Sequence, residues 1–326
     1  MRRRDFINVI GGGLAAWPLA ARAQGSARPV IGYLGAVAPN SDTHLVDAFI
    51  KGLGETGHED GKNVKIEYRW AEHQYDRLPS MAADLVRQKV AVMAAVATPA
   101  VRAAKAATST IPIVFVTIAD PVQVGFVASL NRPGGNLTGA TLLSVEVGPK
   151  VLELLHGVVP SATTVALLVN PTNPNAETQT KSIQAAALKL GLRIPVLNAS
   201  SERDFDAVFA RVRELQAGAL IIAQDVFLNT QSNQLAALTV RNGVPAIYTT
   251  SDFAEAGGLM SYGASVIDSL RQVGIYVGRV LKGERPADLP VLQPTKFELI
   301  INLKTAKALN VNVPFGLLNA ADKVIE

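Results

Sequence analysis

Three asparagines and two prolines crowd the stretch NPTNPNAET, residues 170–178, between a β-type apolar run and a helix-like run. Asn173 has the right chemistry for a helix N-cap, with Pro174 at the first helical position and Pro171 stiffening the entry. That leaves Asn170 and Asn175 with no local task. An amide both donates and accepts, so it binds neutral or zwitterionic groups without a fixed charge. Asn170, Asn173 and Asn175 are therefore candidate ligand contacts, and the chemistry they suggest is recognition rather than bond making.

Other strand-to-helix corners carry similar groups. Gly35, in GAVAPNSDT, allows close approach, and Ser41 or Asp42 can cap the helix that follows. Thr98 reads as an N-cap with Pro99 behind it, leaving free N–H groups at the positive end of a helix dipole, with or without an anionic ligand on them. Asp120 precedes Pro121 and is held extended by it. It either caps the next segment or offers a carboxylate to an ammonium or hydroxyl. Ser144 stands near a crossing between lobes. Gln224 and Asp225 end a wholly apolar run, and YTTSDF offers Tyr248 and Ser251, with Asp252 as a helix cap. Trp70 alternates with core residues and reads as core, or else as a ligand platform.

Catalytic signatures are missing. There is no Gly-x-Ser-x-Gly elbow, no His-Glu-x-x-His, no P-loop and no cysteine. The histidines, His44, His58, His73 and His156, are scattered and read as surface residues. No catalytic residue, metal ligand or cofactor is expected. An exported α/β enzyme working with carboxylates alone, or a sensor subunit for a small organic acid, is the alternative reading. A two-lobed transcription regulator would need a helix-turn-helix ahead of residue 29.

The elements that must position these corners alternate along the chain. Strand-like runs over 29–35, 64–72, 90–96, 111–118 and 136–143 are separated by helical runs at 42–54, 76–88 and 99–108, with a shorter one after Pro121. The pattern restarts with strands at 163–170, 193–199, 219–224, 244–250 and 258–263, and helices at 174–190, 202–216, 230–242 and 265–282. Near-continuous apolar strands alternating with helices predict parallel sheets covered on both faces. Val64, Ile66, Tyr68 and Trp70 alternate with charged residues, which suits an edge strand. The fold class is α/β, two Rossmann-like doubly wound lobes with a ligand cleft between them, since strand carboxyl ends face the crevice in such sheets. The first lobe is assigned 28–143 plus about 259–286, and the second 144–258 plus about 291–326. Hinges are expected near Leu143–Glu146, Gly257–Leu259 and Ala287–Pro294.

Residues 1–23 read as a cleavable export signal: arginines, a short apolar stretch, then Ala21-Arg22-Ala23, with cleavage after Ala23. Arg3-Arg4-Asp5-Phe6-Ile7 fits a twin-arginine signal in part, with general secretion as the other route. Gly11–Gly13 argues against a plain N-terminal helix. The signal carries +3 of the formal +4 charge, leaving the rest near +1, so the basic balance implies no nucleic-acid partner. No segment is long and apolar enough for stable membrane insertion.

The stretches VKIEYRWAEHQYDRLPSMAADLV, IPIVFVTIADPVQVGFVASLNRPGGNLTG, LLVNPTNPNAE and FELIINLKTAKAL, with the signal, resemble the ABC transporter substrate-binding proteins of the tryptophan-type branch over essentially the full length. The resemblance implies a type I periplasmic-binding fold whose ligand sits between the lobes. It places Thr98, Asp120 and Asn170–Asn175 on cleft loops. It also implies a periplasmic protein that captures a small polar or zwitterionic solute, an amino acid or an aromatic-acid-like one, by lobe closure and presents it to an ABC permease, whose partner ATPase subunit drives transport.

Overall fold

The computed structural model describes residues 28–38, 43–295 and 297–326. The export-signal reading and the Ser41 assignment lie outside them. The first half runs β1 (Val30–Gly35), α1 (Thr43–Glu55), β2 (Lys65–Trp70), α2 (Leu78–Arg87), β3 (Val92–Val96), α3 (Thr98–Ala107), β4 (Ile113–Thr117) and β5 (Leu137–Thr141). The strands pair in the order β2-β1-β3-β4-β5, all parallel. As its alternation predicts, β2 is an edge strand. Every residue of β4 and β5 is buried, which is what a parallel strand covered on both faces requires. After Pro121 the chain runs in turns and not in the short helix expected.

The second half opens with α4 (Ser144–Val158), then β6 (Val165–Val169), α5 (Ala176–Leu190), β7 (Val196–Asn198), α6 (Phe205–Glu214), β8 (Ala219–Ile222), α7 (Val226–Thr230), α8 (Ser232–Arg241), β9 (Ala246–Tyr248), α9 (Ser251–Glu255) and β10 (Met260–Ala264). It continues with α10 (Val266–Leu281), β11 (Phe297–Asn302), α11 (Leu303–Ala308), α12 (Phe315–Ala320) and β12 (Lys323–Ile325). The second sheet is ordered β12-β11-β10-β9-β8-β6-β7, and β10 with β11 is its antiparallel pair. Helix α4 was not legible beforehand, because Gly148 and Pro149 interrupt its pattern. It nonetheless supplies Val151, Leu152 and Leu155 to the second core.

The lobe assignment changes at one strand. The reading gave 259–286 to the first lobe, but β10 is hydrogen-bonded between β9 and β11 in the second sheet. The chain crosses one step later, at Ala264–Val266, where Ser265 Oγ accepts from the Asp268 N–H and caps α10. The middle hinge expected at Gly257–Leu259 is displaced with it. Helix α10 then packs on α1, burying Leu270, Val273 and Val277 against Phe49 and Leu53. The two helices meet backbone to backbone: a Cβ on Gly274 would stand 2.1 Å from the Phe49 carbonyl oxygen. A glycine is required there by space alone. The other crossings follow β5, where Leu143 has a left-handed φ of 48°, and follow Leu292, which hydrogen-bonds the edge of β5 before the chain enters β11.

Candidate functional site

Between the lobes lies a cavity enclosing about 730 Å³ of empty space, part of it open to solvent. Its two walls differ in chemistry. The first lobe contributes Tyr33, Val37, Leu45, Trp70, Val116 and Leu142, and the second contributes Asn173, Asn175, Gln224, Asp225 and Asn229. An apolar and aromatic face opposite a few converging polar groups is the usual make-up of a small-molecule site.

The aromatic wall is built on β1 and β2. Tyr33 and Trp70 rings lie with centroids 5.1 Å apart, and Trp70 stacks on Tyr68 at 5.7 Å and 6°. Gly35 does not line the cavity. A Cβ there would come within 2.6 Å of the Trp70 ring, so Gly35 makes room for the tryptophan that does. Trp70, read as core or else as a ligand platform, packs against the first core and also lines the cavity, partly buried.

The polar wall centres on Asp225, 2% exposed. Its carboxylate accepts from Asn170 Nδ2 at 3.1 Å, Asn173 Nδ2 at 2.8 Å and the Leu228 N–H at 3.1 Å. Tyr75 OH of the first lobe donates to it at 3.1 Å. Asp225 thus caps α7 and organises the asparagine corner, and its lone pairs are largely committed within the protein. Asn170 lies behind the cavity wall. Tyr248 is buried beneath it, its hydroxyl donating to the Asp225 carbonyl at 3.0 Å. Burial pushes the phenol pKa of both Tyr75 and Tyr248 upward, with Asp225 adding to it, so each stays a donor.

Helix α5 starts two residues later than the cap reading of Asn173 supposed. Asn173 Oδ1 accepts from the Asn175 N–H at 2.9 Å, closing a turn ahead of the helix. Asn175 occupies the cap position without capping. Its side chain reaches across the cleft and donates to Thr98 Oγ1 at 2.9 Å. Thr98 is itself the first residue of α3 and hydrogen-bonds Thr117 Oγ1 at 2.9 Å. The cap position is Ala97, at φ 80° and without a side-chain cap, an uncommon conformation for a residue with a Cβ. The first turn of α3 therefore starts at the cavity, which Ala97, Thr98 and Pro99 line, and the N–H groups of such a turn lack intrahelical acceptors.

Two expected contacts stand elsewhere. Asp120 accepts from the N–H groups of Val122 and Gln123, at 2.8 and 3.2 Å, and is not among the cavity-lining residues. Of its two readings, the local cap is the one the geometry matches. Ser251 opens α9 and lines an adjoining chamber with Asn229. Ser144 is the first residue of α4. Tyr33, Tyr75 and Asn229 were missed, because only the tertiary fold brings them to the cleft.

His73, read as a surface residue, lies against the opposite lobe. Its ring stands edge-on to Phe227, centroids 5.8 Å apart, with Nδ1 buried and unpartnered. Burial holds its pKa below the ordinary 6.5, against the opposing pull of Asp225, Glu202 and Glu72. The neutral ring is therefore favoured when the lobes meet. The stabilisation that this contact gives the packed lobes is complete above the ordinary imidazole pKa and is lost as pH falls below it. Ligand affinity should weaken on acidification more steeply in the wild type than in His73→Gln. Calorimetric titration across that range checks this, and parallel slopes would refute it.

Among the described residues no group of three or more His, Cys, Asp or Glu could hold a metal ion, and no helix is long and apolar enough to cross a membrane. Residues 31–325 match the family model described as ABC transporter substrate binding protein. A tyrosine-binding protein of Clostridioides difficile (strain R20291) is 29% identical over 265 residues, 81% of this chain and 75% of the relative. Among solved structures, an ABC domain in complex with L-Trp from Streptococcus pneumonia superposes with a TM-score of 0.80 at 26% identity, covering 92% of this chain and all of the other. The ligand-free, open structure of a substrate-binding protein with adhesive properties from Clostridium difficile superposes with a TM-score of 0.64 at 25% identity, over 91% and 99% of the two chains.

Proposed function

The chain belongs to the ABC transporter substrate-binding protein family, and on that premise we propose that it captures a small zwitterionic solute with an aromatic side chain and delivers it to an ABC importer. Substrate-binding proteins of this family are carriers and not enzymes. The observation that carries the finer reading is the two-faced cavity: an aromatic wall on one lobe, amides and buried carboxylate on the other. The tryptophan- and tyrosine-binding relatives support it.

Each part of such a solute has a counterpart. The ring lies against Trp70 and Tyr33. The carboxylate meets the first turn of α3, where N–H groups and the helix dipole favour an anion. The ammonium meets Gln224 Oε1 and Asn229 Oδ1, buried acceptors with no partner in the protein. A buried polar atom without a partner is costly, so a donor supplied by the guest is stabilising.

Binding works by lobe closure. Two hydrogen bonds between lobes, Asn175 to Thr98 and Tyr75 to Asp225, form only when the halves meet. The ligand adds to the closed form alone and shifts the balance toward it. At nearly equal identity, the chain superposes better on the L-Trp complex than on the open structure, which supports a closed arrangement here. The closed surface is then what a permease would read outside the cytoplasmic membrane, once export has removed residues 1–23, and the permease's partner ATPase would drive transport.

The test is a thermal-shift screen of residues 24–326, unfolded and refolded to strip any carried ligand, against amino acids, aromatic acids and sugars. Aromatic amino acids should raise the melting temperature most. A sugar-only response would overturn the reading. Asn175→Ala removes one inter-lobe hydrogen bond worth about 1 kcal/mol, so release should speed up roughly fivefold with little change in capture rate. Stopped-flow kinetics checks this.

A further inference from the structure

A second chamber, about 490 Å³ of empty space that includes part open to solvent, adjoins the aromatic one beside the Ala264–Val266 crossing and shares Leu45, Asn229 and Val266 with it. Its lining is of another kind. Thr250, Ser251, Asp252, Ser261 and Glu298 come from the second lobe, and His44 comes from α1. Hydroxyls and carboxylates dominate, with a single imidazole facing them.

Two atoms here have unmet hydrogen-bonding capacity. Thr250 is 4% exposed and its Oγ1 is buried with no partner. Asn229, at the junction of the chambers, has a buried Oδ1 with none. A folded protein satisfies such atoms with protein, water or a guest. Asn229 lies on the side of the first chamber to which the proposed ammonium points. A solute extended through its amino nitrogen would therefore pass Asn229 and enter the second chamber.

We propose that the preferred ligand is a dipeptide with an aromatic C-terminal residue, a deepening that rests on the aromatic reading of the first chamber. The ring occupies the first chamber and the free carboxylate meets α3. The peptide N–H donates to Asn229 Oδ1. The N-terminal residue, with its ammonium, lies among Thr250, Ser251 and Asp252, where carboxylates favour a cation. A short polar or basic residue at that position matches the lining.

The test is calorimetric titration of refolded residues 24–326 with L-tyrosine, Lys-Tyr, Tyr-Lys and Lys-Ala. Lys-Tyr should bind about tenfold more tightly than tyrosine or the reversed Tyr-Lys. Ser251→Leu, which fills the chamber, and Asp252→Asn, which removes its charge, should each cost Lys-Tyr about tenfold and leave tyrosine within about twofold. Retained tyrosine binding shows that each variant is folded. Tyrosine binding as well as or better than Lys-Tyr overturns the proposal and leaves the aromatic reading intact, and so does a Lys-Tyr affinity that neither substitution changes. Lys-Ala binding as tightly as Lys-Tyr removes the aromatic reading and keeps the second chamber. Binding of none of the four overturns both.

Discussion

Asp225→Ala should lower the melting temperature by roughly 6–12 °C and abolish measurable solute binding. The carboxylate is buried and takes four donors. Truncation leaves Asn170 Nδ2 and the Leu228 N–H facing an apolar methyl, and leaves Asn173 Nδ2 with only its longer, 3.3 Å bond to the Gln224 carbonyl. Buried groups stripped of their partners cost about 1–3 kcal/mol each before relaxation, so a net loss of about 3 kcal/mol is a conservative expectation. For a lobe of this size that is roughly 2–4 °C per kcal/mol. Binding fails for a separate reason: the asparagine corner that carries Asn173 and Asn175 is organised by this carboxylate, and the Tyr75 contact between lobes ends on it. Tyr75→Phe separates the two effects. It keeps the second lobe intact and removes only the crossing hydrogen bond, so it should weaken binding with little change in melting temperature. Circular dichroism melts and calorimetry on the two variants check this. Equal stability of Asp225→Ala and wild type would show that the carboxylate does not organise the corner.

Trp70→Ala should weaken an aromatic solute by about 30- to 150-fold, about 2–3 kcal/mol, with a smaller effect on folding. The ring is a wall of the cavity and stacks on Tyr68 behind it. It sits on β2, an edge strand, so its loss leaves the central strands β1, β3 and β4 paired. Trp70→Phe keeps an aromatic face and should recover most of the affinity. Gly35→Ala should act in the same direction, because its methyl would overlap the indole in the present position. An aromatic ligand that binds Trp70→Ala as well as wild type would place the ring elsewhere.

Much of this was legible in the sequence. Parallel strands buried on both faces are written as unbroken apolar runs, so β4, β6 and β8 and the helices between them stand out, and two rounds of the pattern imply two lobes. The asparagine corner, Thr98 and Asp225 were legible because strand-to-helix turns in such sheets face the crevice. What each residue does there was not. Asn175 occupies a cap position but spends its amide on the other lobe, and Asp225 spends its carboxylate on its neighbours. Both are tertiary outcomes of residues far apart in sequence, as is the reach of Tyr75. Strand β10 went to the wrong lobe because nothing in GLMSYG marks which sheet it joins, and the chain crosses only after it. Short β12, carrying a lysine and two aliphatics, has no pattern long enough to announce it.

Removal of residues 1–23 would take away Trp17 and leave Trp70 as the lone tryptophan of the chain, which makes the central claim directly measurable. Ligand-stripped residues 24–326 are titrated with L-tyrosine and L-phenylalanine while indole emission is followed at an excitation wavelength that spares tyrosine. A solute held between the lobes against Trp70 predicts a saturable, single-site change in that emission for at least one of the two. Emission that stays constant through millimolar concentrations of both would contradict the account.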